Sequence, residues 1–326
     1  MERLLITLIL VCTMNNITNA QNPFYGQYHT PHETVPFDRI ETEHYEPAIL
    51  EGIRLQNAEI EAIIQNPEKA DFTNTIEAFE ESGELLDRVV AVFGNMLSAE
   101  TNDDLQELAQ KIMPLLSEHS NNITLNKKLF ARVKEVYNQK ETLQLTQEQK
   151  QLLENAYNSF IRHGANLEGE AREEYRRLTT ELSKLTLTFS ENNLKETNAY
   201  QMLLTKKESL AGLPEIIIEA AAETAKNEEK EGWAFTLHAP SYIPFMTYSD
   251  NRDLRQKLYM AYNTKCTHDN EFNNIDIVKK IANTRMKIAQ LLGYKDYAEY
   301  TLKKRMAENS KSVYKLLNQL LEAYTP

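Results

Sequence analysis

The stretch IEAFEESGELLDRVVAVFGNML, Ile76–Leu97, sets Ile76, Phe79, Leu86, Val89, Val90, Phe93 and Leu97 at helical steps. Such spacing lays one apolar stripe along a helix, whereas a strand would alternate its faces. The pattern recurs in LTTELSKLTLTF, with Leu178, Leu182, Leu185 and Phe189. It recurs again in IDIVKKIANTRMKIAQLLG, with Ile277, Ile281, Ile288 and Leu292, and Gly293 follows as a stop signal. Asn102 before Asp103-Asp104, and Thr146 before Gln147-Glu148-Gln149, read as capped helix starts. Two short stretches read as strands, Ala199–Thr205 and Gly232–Pro240, the second alternating Trp233, Phe235 and Leu237. The expectation is an all-α, elongated multi-helix array with at most a small β-ribbon near 199–205 and 232–240.

Composition points the same way. In 326 residues there are nine glycines and ten prolines, too little turn material for a many-stranded sheet. A hydrophobic share of 41% with 26% charged residues is ordinary for a water-exposed fold with a real core. The net charge of −12 argues against nucleic acid or an anionic membrane as partner.

Residues 1–20 differ from the rest. Arg3 precedes the apolar run Leu4–Cys12, and Thr18-Asn19-Ala20 supplies short residues before Gln21. This is the layout of a signal peptide, with a run too short to span a bilayer. The expected address is outside the inner membrane, in the periplasm, with cleavage after Ala20. That cut would leave Cys266 as the lone cysteine and permit no internal disulfide. The charged stretch Lys226–Gly232 marks an exposed linker, dividing a helical region 21–225 from a region 226–326.

The residues themselves spell out no active site. His29, His32 and His44 lie among acidic residues, but His32-Glu33 is followed by Thr34, Val35 and Pro36. The helical H-E-x-x-H pair that would converge on zinc is therefore missing. His29 and His32, flanking Pro31, are expected on extended chain. VPFDRI reads as an extended lead-in, with Glu46-Pro47 starting a helix. His119, His163, His238 and His268 have no Cys, Asp or His at ligand spacing, and Cys266 reads as an inert thiol. Glu80-Glu81, Glu173-Glu174 and Lys303–Arg305 read as solvated faces. No Gly-rich phosphate loop and no G-x-S-x-G elbow occurs. The sequence thus assigns no catalytic residue and no metal ligand, and leaves substrate contacts open.

Several strings nevertheless carry a resemblance. They are NPF (22–24), HYEPAILEGI (44–53), FTNTIEAFEESGELLDRV (72–89), TNDDLQEL (101–108) and LFARV (129–133). PSYIPFMTYSDNRDLRQKLYMAY (240–262) and LLGYKDYAEYTLKKRMA (291–307) follow in the same order. Together they resemble the amino-terminal half of bacterial peptidyl-dipeptidases of the thimet-oligopeptidase (M3) family of zinc peptidases. The resemblance implies a helical protein around a narrow channel that admits short oligopeptides. It also implies that region 226–326 begins the peptidase part. Zinc in that family is held by an H-E-x-x-H helix and a downstream glutamate, and no residue here matches them. The expectation is therefore an amino-terminal portion that binds no zinc and is inactive without a catalytic half. A stand-alone exported peptide-binding module is the alternative, and unrelated function with chance similarity a third.

Overall fold

The computed structural model describes residues 22–325 and is overwhelmingly helical among them. The chain forms two compact units: one holds the residues up to Ser183 and from Met286 onward, the other Lys184–Arg285. Both divisions fall inside helices.

The first unit opens with an anchor. Asn22 caps a 3₁₀ turn, Pro23–Tyr25, accepting from the Phe24 N–H and donating to the His44 carbonyl. Phe24 is fully buried against Tyr45, which in turn meets Phe93, with ring centroids 5.4 and 5.2 Å apart. The first long helix, α1, runs Thr42–Gln65. It starts four residues earlier than Glu46-Pro47 suggested. The reason lies in its cap: the Glu41 N–H donates to His44 Nδ1 at 2.9 Å, closing a capping box. Pro47 thus sits inside the helix. Upstream, the chain is not simply extended. Pro31–Glu33 and Phe37–Arg39 are 3₁₀ turns, and His32 and Glu33 hold φ of 59° and 55°.

The Ile76–Leu97 stripe is helical but broken. A π-helical segment, Phe72–Glu77, and a further turn end at Gly83, after which α2 spans Glu84–Ala99. Gly83 has φ of +87°, and a Cβ there would lie 2.3 Å from Gln56 Nε2. Its N–H donates to Glu59 Oε2 at 2.8 Å, so α1 fixes the break. The chain can pass so close only because glycine carries no side chain. The break divides the stripe's duties. Ile76 and Phe79 join a core with Leu129, Val133 and Phe160, while Leu86, Val89 and Phe93 are buried on α2.

Helices α3 (Asp103–Thr124), α4 (Lys127–Asn138) and α5 (Gln147–Arg162) follow. Asn102 and Thr146 cap α3 and α5 as their sequence signals imply. α6 (Gly169–Ala199) continues into the second unit. There β1 (Gln201–Leu204) pairs antiparallel with β2 (Trp233–Thr236), Met202 opposite Phe235, forming the expected ribbon. The exposed Lys226–Gly232 stretch joins α7 (Glu215–Asn227) to β2 within this unit. Phe235 meets Phe245 of α8 (Ala239–Tyr248) at 4.6 Å, and Leu258 of α9 (Arg252–Asn263) closes the core.

α10 (Ile275–Leu291) leads back to the first unit. It ends at Gly293, φ +83°, with Tyr294 N–H on the Ala289 carbonyl and Gly293 N–H on that of Gln290. That pair of bonds is a Schellman cap. α11 (Tyr297–Leu302) and α12 (Ser310–Tyr324) complete the described chain.

Candidate functional site

The histidines at the start of the chain do not assemble. His29 and His32 are exposed on the lead-in, and His44 is committed to the α1 cap. His163 Nδ1 bonds the Ser159 carbonyl at 2.8 Å, one turn back on α5. His119 is buried on α3, its Nε2 2.7 Å from Gln56 Oε1 of α1. Among the described residues no group of three His, Cys, Asp or Glu side chains is placed to hold a metal ion. The donor set of the described residues does not fit zinc.

A titratable cluster around a histidine and a cysteine forms in the second unit. Glu196 of α6 reaches the α9–α10 loop, where Oε1 lies 2.7 Å from His268 Nδ1 and Oε2 accepts the Cys266 N–H. His268 Nε2 stands 3.2 Å from Thr264 Oγ1. Lys265 Nζ donates to Thr197 Oγ1, and Asn274 Nδ2 to the Phe189 carbonyl, at 3.1 and 3.0 Å. Burial raises the Glu196 carboxyl, but the bonds from His268 and Cys266 outweigh it and hold the pKa below its ordinary value. The Cys266 thiol is buried, and desolvation together with Glu196 pushes its pKa to about 11. Cys266 is thus a protonated, unreactive thiol, as its sequence context implies. The cluster staples a loop to a helix. Its partners lie 72 residues apart, a pairing that no local pattern announces.

A second feature is an open apolar face. On α12, Tyr314, Leu317, Leu321 and Tyr324 recur at three- and four-residue steps, and Leu317 and Leu321 are 50% and 65% exposed. Leu316 and Leu320 widen the same face. A helix so patterned normally buries that side.

The recurrent strings turn out to have packing duties. Arg132, in LFARV, donates to the Asn66 and Glu68 carbonyls and to Asn74 Oδ1, tying α4 to the loop before the π-helical segment. Gly52, in HYEPAILEGI, lets α1 approach α2 so closely that a Cβ would lie 2.9 Å from Leu86 Cα. Ser241, in PSYIPF, accepts the Thr236 N–H and joins β2 to α8.

The comparisons with known proteins agree with this distribution. Residues 245–326 match the model for peptidase family M3. The chain is 34% identical over 305 residues to a dipeptidyl carboxypeptidase of Escherichia coli, covering 93% of this chain and 45% of that protein. It is 32% identical over 295 residues to oligopeptidase A of Haemophilus influenzae, covering 89% and 43%. For oligopeptidase A of Salmonella typhimurium the identity is 30% over 309 residues, covering 94% and 45%. The chain is similar to peptidases of family M3 along nearly its whole length. It spans less than half the length of these M3 relatives. The M3 match begins at Phe245 in α8, so α9–α12, with the open apolar face of α12, lie within the peptidase-matching region.

Proposed function

We propose that these 326 residues are the amino-terminal portion of a zinc metallopeptidase of the peptidyl-dipeptidase kind, which releases dipeptides from the carboxyl ends of short oligopeptides. The observation that carries this reading is the colinear 34% identity to a dipeptidyl carboxypeptidase over 93% of the chain. In this reading zinc and the groups that activate water belong to a further catalytic segment. The helices described here supply scaffold and part of the substrate channel. Zinc, when bound to such a segment, would polarise the scissile carbonyl and activate the nucleophile. Among the described residues no group of three His, Cys, Asp or Glu is placed to hold that zinc.

The open face of α12 supports the same reading. Apolar side chains spaced for burial, inside the peptidase-matching region, suit a helix that packs against the rest of a peptidase domain. The test is an assay of the purified chain on short peptides with free carboxyl ends, with and without added zinc. No dipeptide release is expected in either case, nor stoichiometric zinc after dialysis. Zinc-dependent cleavage by these residues alone would overturn the reading.

Export belongs to the same proposal. The leader-like layout of residues 1–20 lies outside the described residues, and it supports cleavage between Ala20 and Gln21 and a periplasmic address. Mass spectrometry of the protein from its host should find a mature terminus at Gln21. Soluble protein retaining Met1 would contradict export. Among the described residues no helix is long and apolar enough to cross a membrane.

A further inference from the structure

A cleft of about 410 Å³ opens in the first unit between α1, the Phe79–Val90 segment and the last turns of α3. Its size falls within the range of small-molecule sites, which pair apolar walls with a few convergent polar groups. Phe79, Leu86, Val90, Leu116 and Ile123 form the apolar lining, while Glu80, Asp87, Ser120 and His119 add the polar groups.

The floor fixes the chemistry. Gln56 Nε2 donates to the Ser82 carbonyl at 3.2 Å, which presents Gln56 Oε1 to His119 Nε2 at 2.7 Å. An amide oxygen only accepts, so the ring proton sits on Nε2. Burial pushes the His119 pKa down, leaving a neutral ring whose Nδ1 is an acceptor. His119 is 6% exposed, and its Nδ1 has no hydrogen-bond partner among the described residues. Asp87 adds a second acceptor. Partial desolvation raises its carboxyl although the residue as a whole is exposed, and no lysine or arginine lines the cleft. An unpartnered but accessible lone pair on a buried ring, two exposed carboxylates and an apolar wall call for a cationic donor on a hydrocarbon body.

We propose that this cleft binds a primary amine carried on a hydrocarbon group, the hydrocarbon lying against Leu86, Val90 and Leu116 and the ammonium meeting Asp87 and His119 Nδ1. The inference is independent of the peptidase reading, and its test uses no cleavage assay.

The experiment titrates the 326-residue chain with 2-phenylethylamine by isothermal calorimetry and by ligand-observed NMR. 3-Phenylpropionate serves as the charge-reversed probe of the same shape. Saturable amine binding is expected, with no binding of the acid. Asp87→Asn, an exposed position whose change leaves the core intact, should weaken the amine about tenfold, the effect of losing one charge-assisted hydrogen bond. Val90→Phe, which fills the apolar wall, should abolish binding while leaving the melting curve cooperative. Absence of saturable binding, equal binding of the acid, or affinity unchanged in Asp87→Asn would each overturn the proposal.

Discussion

Gly52 shows how much a single residue decides. With no Cβ it lets α1 lie against Leu86 of α2, where any side chain would meet backbone at 2.9 Å. Gly52→Val should therefore cost about 1–3 kcal/mol through overpacking, read as a lower urea midpoint. An unchanged midpoint would show that the helices yield. At Glu196 the sign of a pH effect follows from its partners. The carboxyl is held below its ordinary value of 4.5 despite burial, because His268 and the Cys266 N–H bond it. A depressed carboxyl contributes stability that is present above the unfolded value and lost as pH falls through the folded one. The second unit should accordingly lose stability below about pH 4.5, with a shallower acid dependence in Glu196→Gln. An identical acid profile in that variant would contradict the assignment. Cys266, its pKa near 11, should resist iodoacetamide at pH 8 in the folded chain and react on unfolding, as mass mapping of that peptide would show.

Elements were legible in the sequence where their signals are local. Asn102 and Thr146 cap their helices, Gly293 ends α10, and the two short β-rich stretches pair as a ribbon. Each of those decisions is made within a few residues by capping or backbone freedom. The misreadings arose where a stronger local cap or a distant contact prevails over the apparent pattern. Pro47 is a good helix starter, but the Glu41–His44 box begins α1 sooner. The Ile76–Leu97 stripe keeps its period through Gly83, yet Glu59 and Gln56 of α1 enforce a break there. The same limit hid the polar pairs. Gln56–His119 and Glu196–His268 join residues 63 and 72 positions apart. The open face of α12, by contrast, was readable from Leu316, Leu317, Leu320 and Leu321. A contiguous apolar face of that kind drives association. Replacing Leu317 and Leu321 by Glu should shift the chain toward monomer in sedimentation velocity without lowering its melting temperature. Unchanged association would place the sticky surface elsewhere.

At the scale of the whole molecule, the likeness to M3 peptidases was legible where chemistry was not. The strings that carry the M3 likeness here are caps, close helix approaches and buried anchors such as Asn22, Gly52 and Arg132. They record a scaffold, which explains how a chain can resemble a peptidase strongly while presenting no set of metal ligands among the described residues. The most direct test replaces the matched segment of the E. coli dipeptidyl carboxypeptidase with these residues and analyses the products by mass spectrometry. The account predicts a folded, zinc-dependent chimera that removes dipeptides stepwise from free carboxyl ends. A folded, zinc-loaded chimera that is inactive, or that cuts only within the peptide, would contradict it.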